Sequence, residues 1–236
     1  SLKLAKEFIE SDTASYFKEQ LAIAYNGMGI ISRREGDYWK ALDYYQNCLK
    51  IEDKLYGGAK LGNTFMNIGI IYREMKEYET ALEYVNKSLD YAIKNKDRVS
   101  YSSNYNALGM IYRRMKEYDK AIECYEKSLE ASIAVDEQSN IAQSYNNIGA
   151  VLFRQKKYDK ALEYLNKGYE IHLANNNEAG IVRHHANLVA FYNKIGDTKN
   201  ALKEAKMAYD IYKDLGRKVE QSDVAASLSR LYDKIG

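Results

Sequence analysis

The chain repeats itself every forty residues, and that period limits the possible folds more than any other feature. Residues 105–130 read YNALGMIYRRMKEYDKAIECYEKSLE. Forty residues earlier the chain reads FMNIGIIYREMKEYETALEYVNKSLD, and forty residues later YNNIGAVLFRQKKYDKALEYLNKGYE. A fixed period of this kind marks an array in which each unit buries its apolar face against its neighbours. Within one unit, Tyr105, Leu108, Gly109 and Tyr112 fall at i, i+3, i+4 and i+7, a single stripe of a helix. Tyr118, Ala121, Ile122, Tyr125 and Leu129 make the same stripe on a second helix. Only Met115-Lys116-Glu117 separates the stripes, which leaves room for a tight turn and sets the two helices antiparallel. Gly109 and Ala121 stand on the facing stripes. A mid-helix glycine costs ~1 kcal/mol against alanine. It therefore needs a packing reason, and close approach of the two backbones, flanked by large Tyr and Leu side chains, is the expected one.

Composition narrows the class further. The 236 residues are 46% hydrophobic and 29% charged, which excludes a disordered chain. A formal net charge of +2 supplies no drive toward nucleic acid or a membrane surface, so no direct nucleic-acid contact is expected. No apolar run of about 18 residues occurs, so no membrane-spanning helix is expected within this sequence, and no signal-peptide pattern opens it. Cys48 and Cys124 have neither zinc-site nor redox-motif spacing and read as packing residues, compatible with a reducing compartment. The cytoplasm is favoured, with the periplasm as the alternative if the chain is part of a membrane sensor. The 23 tyrosines, with frequent Lys, Asn and Ile, hint at an AT-rich, bacterial source.

The order aromatic, Leu-Gly, Tyr, then Tyr-x-x-Ala resembles the tetratricopeptide repeat. Its glycine recurs at Gly29, Gly69, Gly109 and Gly149, with Val189 and Ser229 in the last two places. Its alanine recurs at Ala41, Ala81, Ala121, Ala161 and Ala201, and the opening tyrosine at Tyr38, Tyr78, Tyr118 and Tyr158, with Thr198 last. The chain has no proline, where the common, shorter repeat ends its second helix at one. The unit is similar to the longer-helix variety of kinesin light chains, mitotic G-protein-modulator scaffolds and bacterial peptide sensors. The resemblance implies an all-α fold, a right-handed superhelical solenoid of antiparallel helix pairs running over 1–236. Residues 1–11 would be part of the second helix of an earlier repeat, 12–217 five full repeats, and 218–236 the first helix of a further one. First helices are predicted over 14–35, 59–75, 98–115, 138–155, 178–195 and 218–235, and second helices over 38–55, 78–94, 118–135, 158–174 and 198–215. Gly36-Asp37 and Gly196-Asp197 each offer a glycine to end one helix and an aspartate to cap the next. Lys76-Glu77 and Lys116-Glu117 read as plainly solvated turns, and Gly57-Gly58 as a turn between repeats. Leu231 and Ile235, on an apolar stripe with no second helix to cover it, and the turn-like Gly236 suggest a piece of a longer protein.

No catalytic constellation appears. His184 and His185 point about 100° apart on a helix and cannot share one ligand site. His185 takes the aromatic place of Tyr25, Phe65, Tyr105 and Tyr145, a core or groove-edge position, and His172 stands alone. There is no phosphate loop, G-x-S-x-G or dinucleotide glycine motif, so no catalytic residue, metal ligand or cofactor is expected. Trp39 opens a second helix and is expected to pack against a neighbour.

The resemblance implies that the other face of the first helices lines a concave groove. Asn106 lies about 200° from Leu108 around the helix. With its equivalents it marks the candidate site: Asn26, Ile30 and Arg33, then Met66, Asn67, Ile70 and Arg73, then Asn106, Met110 and Arg113. Asn146, Asn147, Phe153 and Asn187 continue the series. An asparagine amide offers both a donor and an acceptor and can satisfy a peptide unit whatever its side chain. Arg33, Arg73 and Arg113 recur one repeat apart. A cation near a helix C-terminus is favourable by itself, but that does not require the same groove-facing position three times. The expected function is non-catalytic binding of an extended or helical protein segment, with an acidic partner matching the arginines. The alternative is the sensory or regulatory region of a bacterial signalling protein, such as a histidine kinase or peptide-responsive regulator, with its effector domain elsewhere.

Overall fold

The computed structural model describes residues 12–56 and 61–234. The expectations for 1–11, for Gly57-Gly58 and for Ile235 and Gly236 fall outside the described residues. Among the described residues there are eleven α-helices and no strand. They are α1 (Asp12–Arg34), α2 (Tyr38–Tyr56), α3 (Gly62–Glu74), α4 (Tyr78–Lys94), α5 (Arg98–Met115), α6 (Tyr118–Ile133), α7 (Gln138–Arg154), α8 (Tyr158–Ala174), α9 (Glu178–Ile195), α10 (Thr198–Asp214) and α11 (Lys218–Tyr232). This is the all-α solenoid class that the period implies. No helix of the described residues is long and apolar enough to cross a membrane.

The chain divides into two compact units, Ser1–Asn140 and Ile141–Gly236. In unit 1, α1 pairs with α2, α3 with α4 and α5 with α6. Its core lies between pairs as well as within them. Ala41, Leu42 and Tyr45 of α2 bury against Ile68 and Ile71 of α3. Ala81, Val85 and Leu89 of α4 bury against Ala107, Leu108 and Ile111 of α5, with Cys124 of α6 beside them. A second helix therefore completes the core of the next first helix, which is why one pair cannot bury its apolar surface alone. In unit 2, α9 pairs with α10. Leu231 of α11 was expected to lie uncovered but is buried, because the preceding second helix covers it with Ala201, Leu202 and Ala205 of α10.

At all four recurring glycines the nearest neighbour of an added Cβ is a side chain of the partner helix, Tyr45, Val85, Tyr125 or Leu165. At Gly69 and Gly149 the partner backbone comes close as well: an added Cβ would meet Val85 Cγ2 at 2.6 Å and Ala81 O at 3.2 Å, or Leu165 Cγ at 2.9 Å and Ala161 O at 3.0 Å. At Gly29 and Gly109 the side chain is a tyrosine ring, and no backbone atom is among the three nearest. The same Cβ would lie 2.7 Å from Tyr45 Cε1 and 2.6 Å from Tyr125 Cε1, and both rings are fully buried.

The turns inside the pairs carry more than solvation. Lys76, Lys116 and Lys156 adopt left-handed backbone angles (φ 67, 66 and 62), as Gly36 and Gly196 do (φ 82 at both). The amide after each reaches back across the helix end, as in Glu77 N to Tyr72 O and Glu117 N to Tyr112 O, both 2.9 Å. Asp37 and Asp197 cap as expected, accepting from Lys40 N at 3.2 Å and Asn200 N at 3.0 Å. Trp39 departs from its expectation and is 70% exposed. Its equivalents Glu79, Asp119, Asp159 and Lys199 are all exposed polar residues, so the position points to solvent whatever occupies it.

Cys48 and Cys124 are buried and unbridged. Cys48 Sγ donates to Ala22 O at 3.3 Å, and burial pushes both thiols up to about 11. The thiolate is the reactive form, and at pH 8 it would be only ~0.1% of each cysteine. A colorimetric thiol reagent at pH 8 should leave both unmodified in the native protein and titrate two thiols in urea.

Candidate functional site

In unit 1 the first helices α1, α3 and α5 carry ten of the residues singled out from the sequence, and all ten are half-buried. Arg33 Nη1 of α1 donates to Glu74 Oε1 of α3 at 2.9 Å, and Arg73 Nη2 approaches the same oxygen at 3.5 Å. Arg73 Nη1 turns the other way and donates to Met110 Sδ of α5 at 3.5 Å. Asn67 Nδ2 donates to Asn26 Oδ1 at 2.9 Å, tying α3 to α1. Asn106 Nδ2 lies 3.9 Å from Met110 Sδ, one turn along its own helix. Ile30 packs against the α2–α3 core and Met66 against the α4–α5 core, so both are partly committed to structure. Ile70 stands half-buried between the Asn and Arg positions of α3.

The electrostatics of this face are uneven. The Arg73 side chain is 16% exposed, and burial lowers its pKa. Glu74 opposes that shift, while Arg114 and Arg33 add to it by repulsion. Beneath the arginines lie Tyr45 and Tyr125, each with a buried hydroxyl that makes no hydrogen bond. Burial raises the pKa of both; Arg33 opposes the shift at Tyr45, and Arg113 then Arg73 oppose it at Tyr125. Arg113 is thus close enough for its charge to be felt by the Tyr125 hydroxyl, but no hydrogen bond of good geometry joins them, and Arg113 Nε is itself buried without a partner. Glu74, Tyr45 and Tyr125 were not foreseen from the sequence. Glu74 had a signal, because Arg34, Arg114 and Arg154 hold its place in the neighbouring repeats. Tyr45 and Tyr125 share a register with Val85, Leu165 and Ala205, and nothing there distinguishes a hydroxyl from an apolar filler.

In unit 2 the sequence-predicted residues are not gathered in the same way. Phe153 packs its ring 4.8 Å from Phe191 and 5.6 Å from Tyr158. Asn146 lies against α8, where a Cβ on Gly168 would stand 2.8 Å from its Oδ1, and that oxygen is buried without a hydrogen bond. Asn147 is half-buried and Asn187 exposed.

The three histidines of the chain are also in unit 2, all buried. His185 Nδ1–H donates to Glu204 Oε2 at 2.7 Å, and the Tyr169 hydroxyl stands 3.4 Å from its Nε2. The Tyr169 ring stacks on His184 at 4.1 Å, and His184 Nδ1 has no partner. Burial pushes the His184 pKa down to about 4, His185 and His172 adding to the shift and Glu204 opposing it. His172 packs against Gly180, and burial lowers its pKa too. Among the described residues no group of three or more His, Cys, Asp or Glu side chains is placed to hold a metal ion.

The family model described as tetratricopeptide repeat matches residues 20–94 and 100–174. A model described as anaphase-promoting complex subunit 5 matches residues 149–216. No curated protein matches the chain. Among solved structures, aspartyl phosphate phosphatase F from Bacillus subtilis superposes with a TM-score of 0.79 at 13% identity, over 94% of this chain and 57% of that one. BtubC (BKLC) from P. vanneervenii gives 0.71 at 20% identity, over 92% and 88%. The Rap conjugation gene regulator of plasmid pLS20, in complex with the Phr* peptide, gives 0.69 at 18% identity, over 88% and 56%. The chain thus spans little more than half of the phosphatase and of the regulator. At these identities the likeness is one of fold.

Proposed function

The chain belongs to the tetratricopeptide repeat family, and from that premise we propose that it is a non-enzymatic scaffold holding an extended or helical protein segment on the first-helix face of unit 1. The observation that carries this reading is the face itself. Three successive first helices carry Arg33, Arg73, Met110 and Arg113, all half-buried and off the apolar core stripe, with Arg33 and Arg73 joined through Glu74 and Arg73 bonded to Met110. Such a surface offers cations for an acidic partner, Ile70 and Met110 for apolar side chains, and the Asn106 amide for its backbone. Asn26 and Asn67 serve the scaffold first, through their mutual bond. Asn146, Asn147, Phe153 and Asn187 are assigned to ligand contact on the repeat register alone.

A second reading, the peptide-responsive region of a bacterial signalling protein, draws on the names of two structural neighbours, a phosphatase and a gene regulator, the latter bound to a peptide. It shares the binding face and adds an effector domain, which the flanking coding sequence would reveal.

The test begins with capture of partners and mapping of the bound segment, followed by calorimetry with the synthetic segment. Charge-assisted hydrogen bonds contribute ~1.5–3 kcal/mol each, so Arg73→Gln with Arg113→Gln should weaken binding about tenfold or more per arginine. Neutral glutamine is preferred to glutamate at position 73, where a second carboxylate would stand beside Glu74. Binding should also weaken as salt rises. Undiminished affinity in the double variant, with its helical signal intact, would sink the proposal.

A further inference from the structure

The first turn of α5 and the C-terminal parts of α4 and α6 enclose an open cavity of about 480 Å³ in unit 1. It lies about 20 Å along α5 from Arg113, away from the arginines. Along α6 its wall is Lys127, Glu130, Ala131 and Ala134, one stripe at i, i+3, i+4 and i+7. The space arises from a single departure from the repeat. Ala131 stands where the other repeats carry Ile51, Tyr91, Ile171 and Ile211. Tyr91 shows what a large side chain does there, packing its ring 5.7 Å from Phe65 of α3. At Ala131 that side chain is missing. Tyr101 of α5 is larger than Leu61, Ile141 and Ile181 in its own register, and it packs on Tyr105 at 4.7 Å. It takes only part of the room, and the cavity is what remains.

The cavity is apolar at its base and charged at its edge. Ala92 and Ala131 are buried, while Ile93 is 52% exposed, a large apolar side chain facing water at the cleft. Three cations, Lys96, Arg98 and Lys127, edge it together with Asp97 and Glu130. Asp97 is committed to capping α5, accepting from Ser100 N at 3.1 Å and Ser100 Oγ at 2.6 Å. Lys127 is matched by Glu123 at 2.7 Å. Lys96 and Arg98, both exposed, are then opposed at the edge by Glu130 alone. We propose that this cavity is a second docking site, for a protein segment that presents one large apolar side chain with an acidic residue beside it. The apolar side chain takes the place that Ile51, Tyr91, Ile171 and Ile211 fill from within the chain, against Ala92, Ile93 and Tyr101. The acid meets the surplus charge of Lys96 and Arg98. Burial of the apolar side chain supplies most of the affinity, because exposed ion pairs contribute little. The site is separate from the first-helix face and does not rest on that reading.

The probe is acetyl-Leu-Glu-amide, with acetyl-Ala-Glu-amide and acetyl-Leu-Gln-amide as controls. The methyl signals of Ile93, Ala131 and Ala134 are followed by NMR up to tens of millimolar. The expected result is saturable shifts at these methyls and none at Met110, which reports on the arginine face. The alanine probe should bind about tenfold or more weakly, and the glutamine probe about two- to fivefold more weakly. Ala131→Ile restores the residue of the equivalent positions and should abolish saturation. Ile93→Ser, at an exposed position, should weaken binding severalfold with the helical signal intact, and it keeps the test decisive if isoleucine at 131 disturbs Tyr101. Arg73→Gln with Arg113→Gln should leave the shifts unchanged, so this site and the first-helix face fail separately. Linear shifts would overturn the proposal, as would equal affinity of either control probe, or full binding by Ile93→Ser. Shifts at Ile93 and Ala134 that grow with protein concentration alone would also overturn it, by making a second copy of this chain the occupant.

Discussion

Replacing Gly109 with leucine should destabilise the protein by about 3 kcal/mol, the upper part of the range for overpacking a filled core. Even the first added atom has no room. A Cβ would stand 2.6, 2.7 and 2.9 Å from Cε1, Cδ1 and Cζ of Tyr125, a ring with no exposed surface to retreat toward. The comparison that isolates the cause is Gly27→Ala. Gly27 lies on the same kind of first helix with nothing within 4 Å of its added Cβ. There the better helix propensity of alanine should stabilise by up to ~1 kcal/mol. Opposite signs for Gly27→Ala and Gly109→Ala in urea unfolding are the expected result. An unchanged urea midpoint for Gly109→Leu would show that Tyr125 is not locked against α5.

The second large effect is a loss of stability in acid centred on His184. Its folded pKa is lowered to about 4 from an ordinary 6.5, chiefly by burial, so its contribution is fully present above pH 6.5. As pH falls toward 4, the unfolded chain takes up the proton first and that contribution is lost. At pH 4.5 the loss amounts to about 2–3 kcal/mol, by 1.36 kcal/mol per pKa unit. His172, also lowered, acts in the same direction. The groups facing His184 are the stacked Tyr169 ring, the neighbouring His185 and His172, and Glu204, the one charge that favours its protonation. His184→Phe keeps a flat ring against Tyr169 and removes the titration. The decline in urea midpoint between pH 7 and pH 4.5 should therefore be smaller in this variant than in the wild type. Equal declines would place the acid sensitivity in the carboxylates.

How much of the candidate site could be read in advance depends on the kind of question. That Arg33, Arg73 and Arg113 share one face follows from their spacing and the helical period. That Arg33 and Arg73 are held by Glu74 does not, although the acid breaks a run of arginines at its own position. The asparagines show the same limit. Their register put Asn26 and Asn67 at or beside one face, but their bond to each other depends on how far α3 is displaced along α1. Asn146 has the register of Asn106, yet its neighbour is the glycine at 168, where the other repeats carry cysteine, serine or alanine, and it lies against α8. Trp39 is solvent-facing against expectation, although the polar residues at its four equivalent positions mark that place as exposed.

The sequence by itself determined the helices, their pairing and the class of fold. Each of these rests on local rules: an apolar stripe at helical spacing, three-residue turns, and a period that makes every second helix the cover for the next first helix. Tertiary structure alone decided which polar groups meet. The contacts Arg33–Glu74, Asn67–Asn26 and Arg73–Met110 join residues 37 to 41 positions apart. Whether such side chains touch depends on shifts of an ångström or two between neighbouring helices. Those shifts are set by the buried side chains between them, such as the Tyr125 ring that fills the space left by Gly109. Periodicity places a residue on a face. Packing then determines whether it finds a partner there or is left, like Arg113 Nε and the Tyr125 hydroxyl, without one.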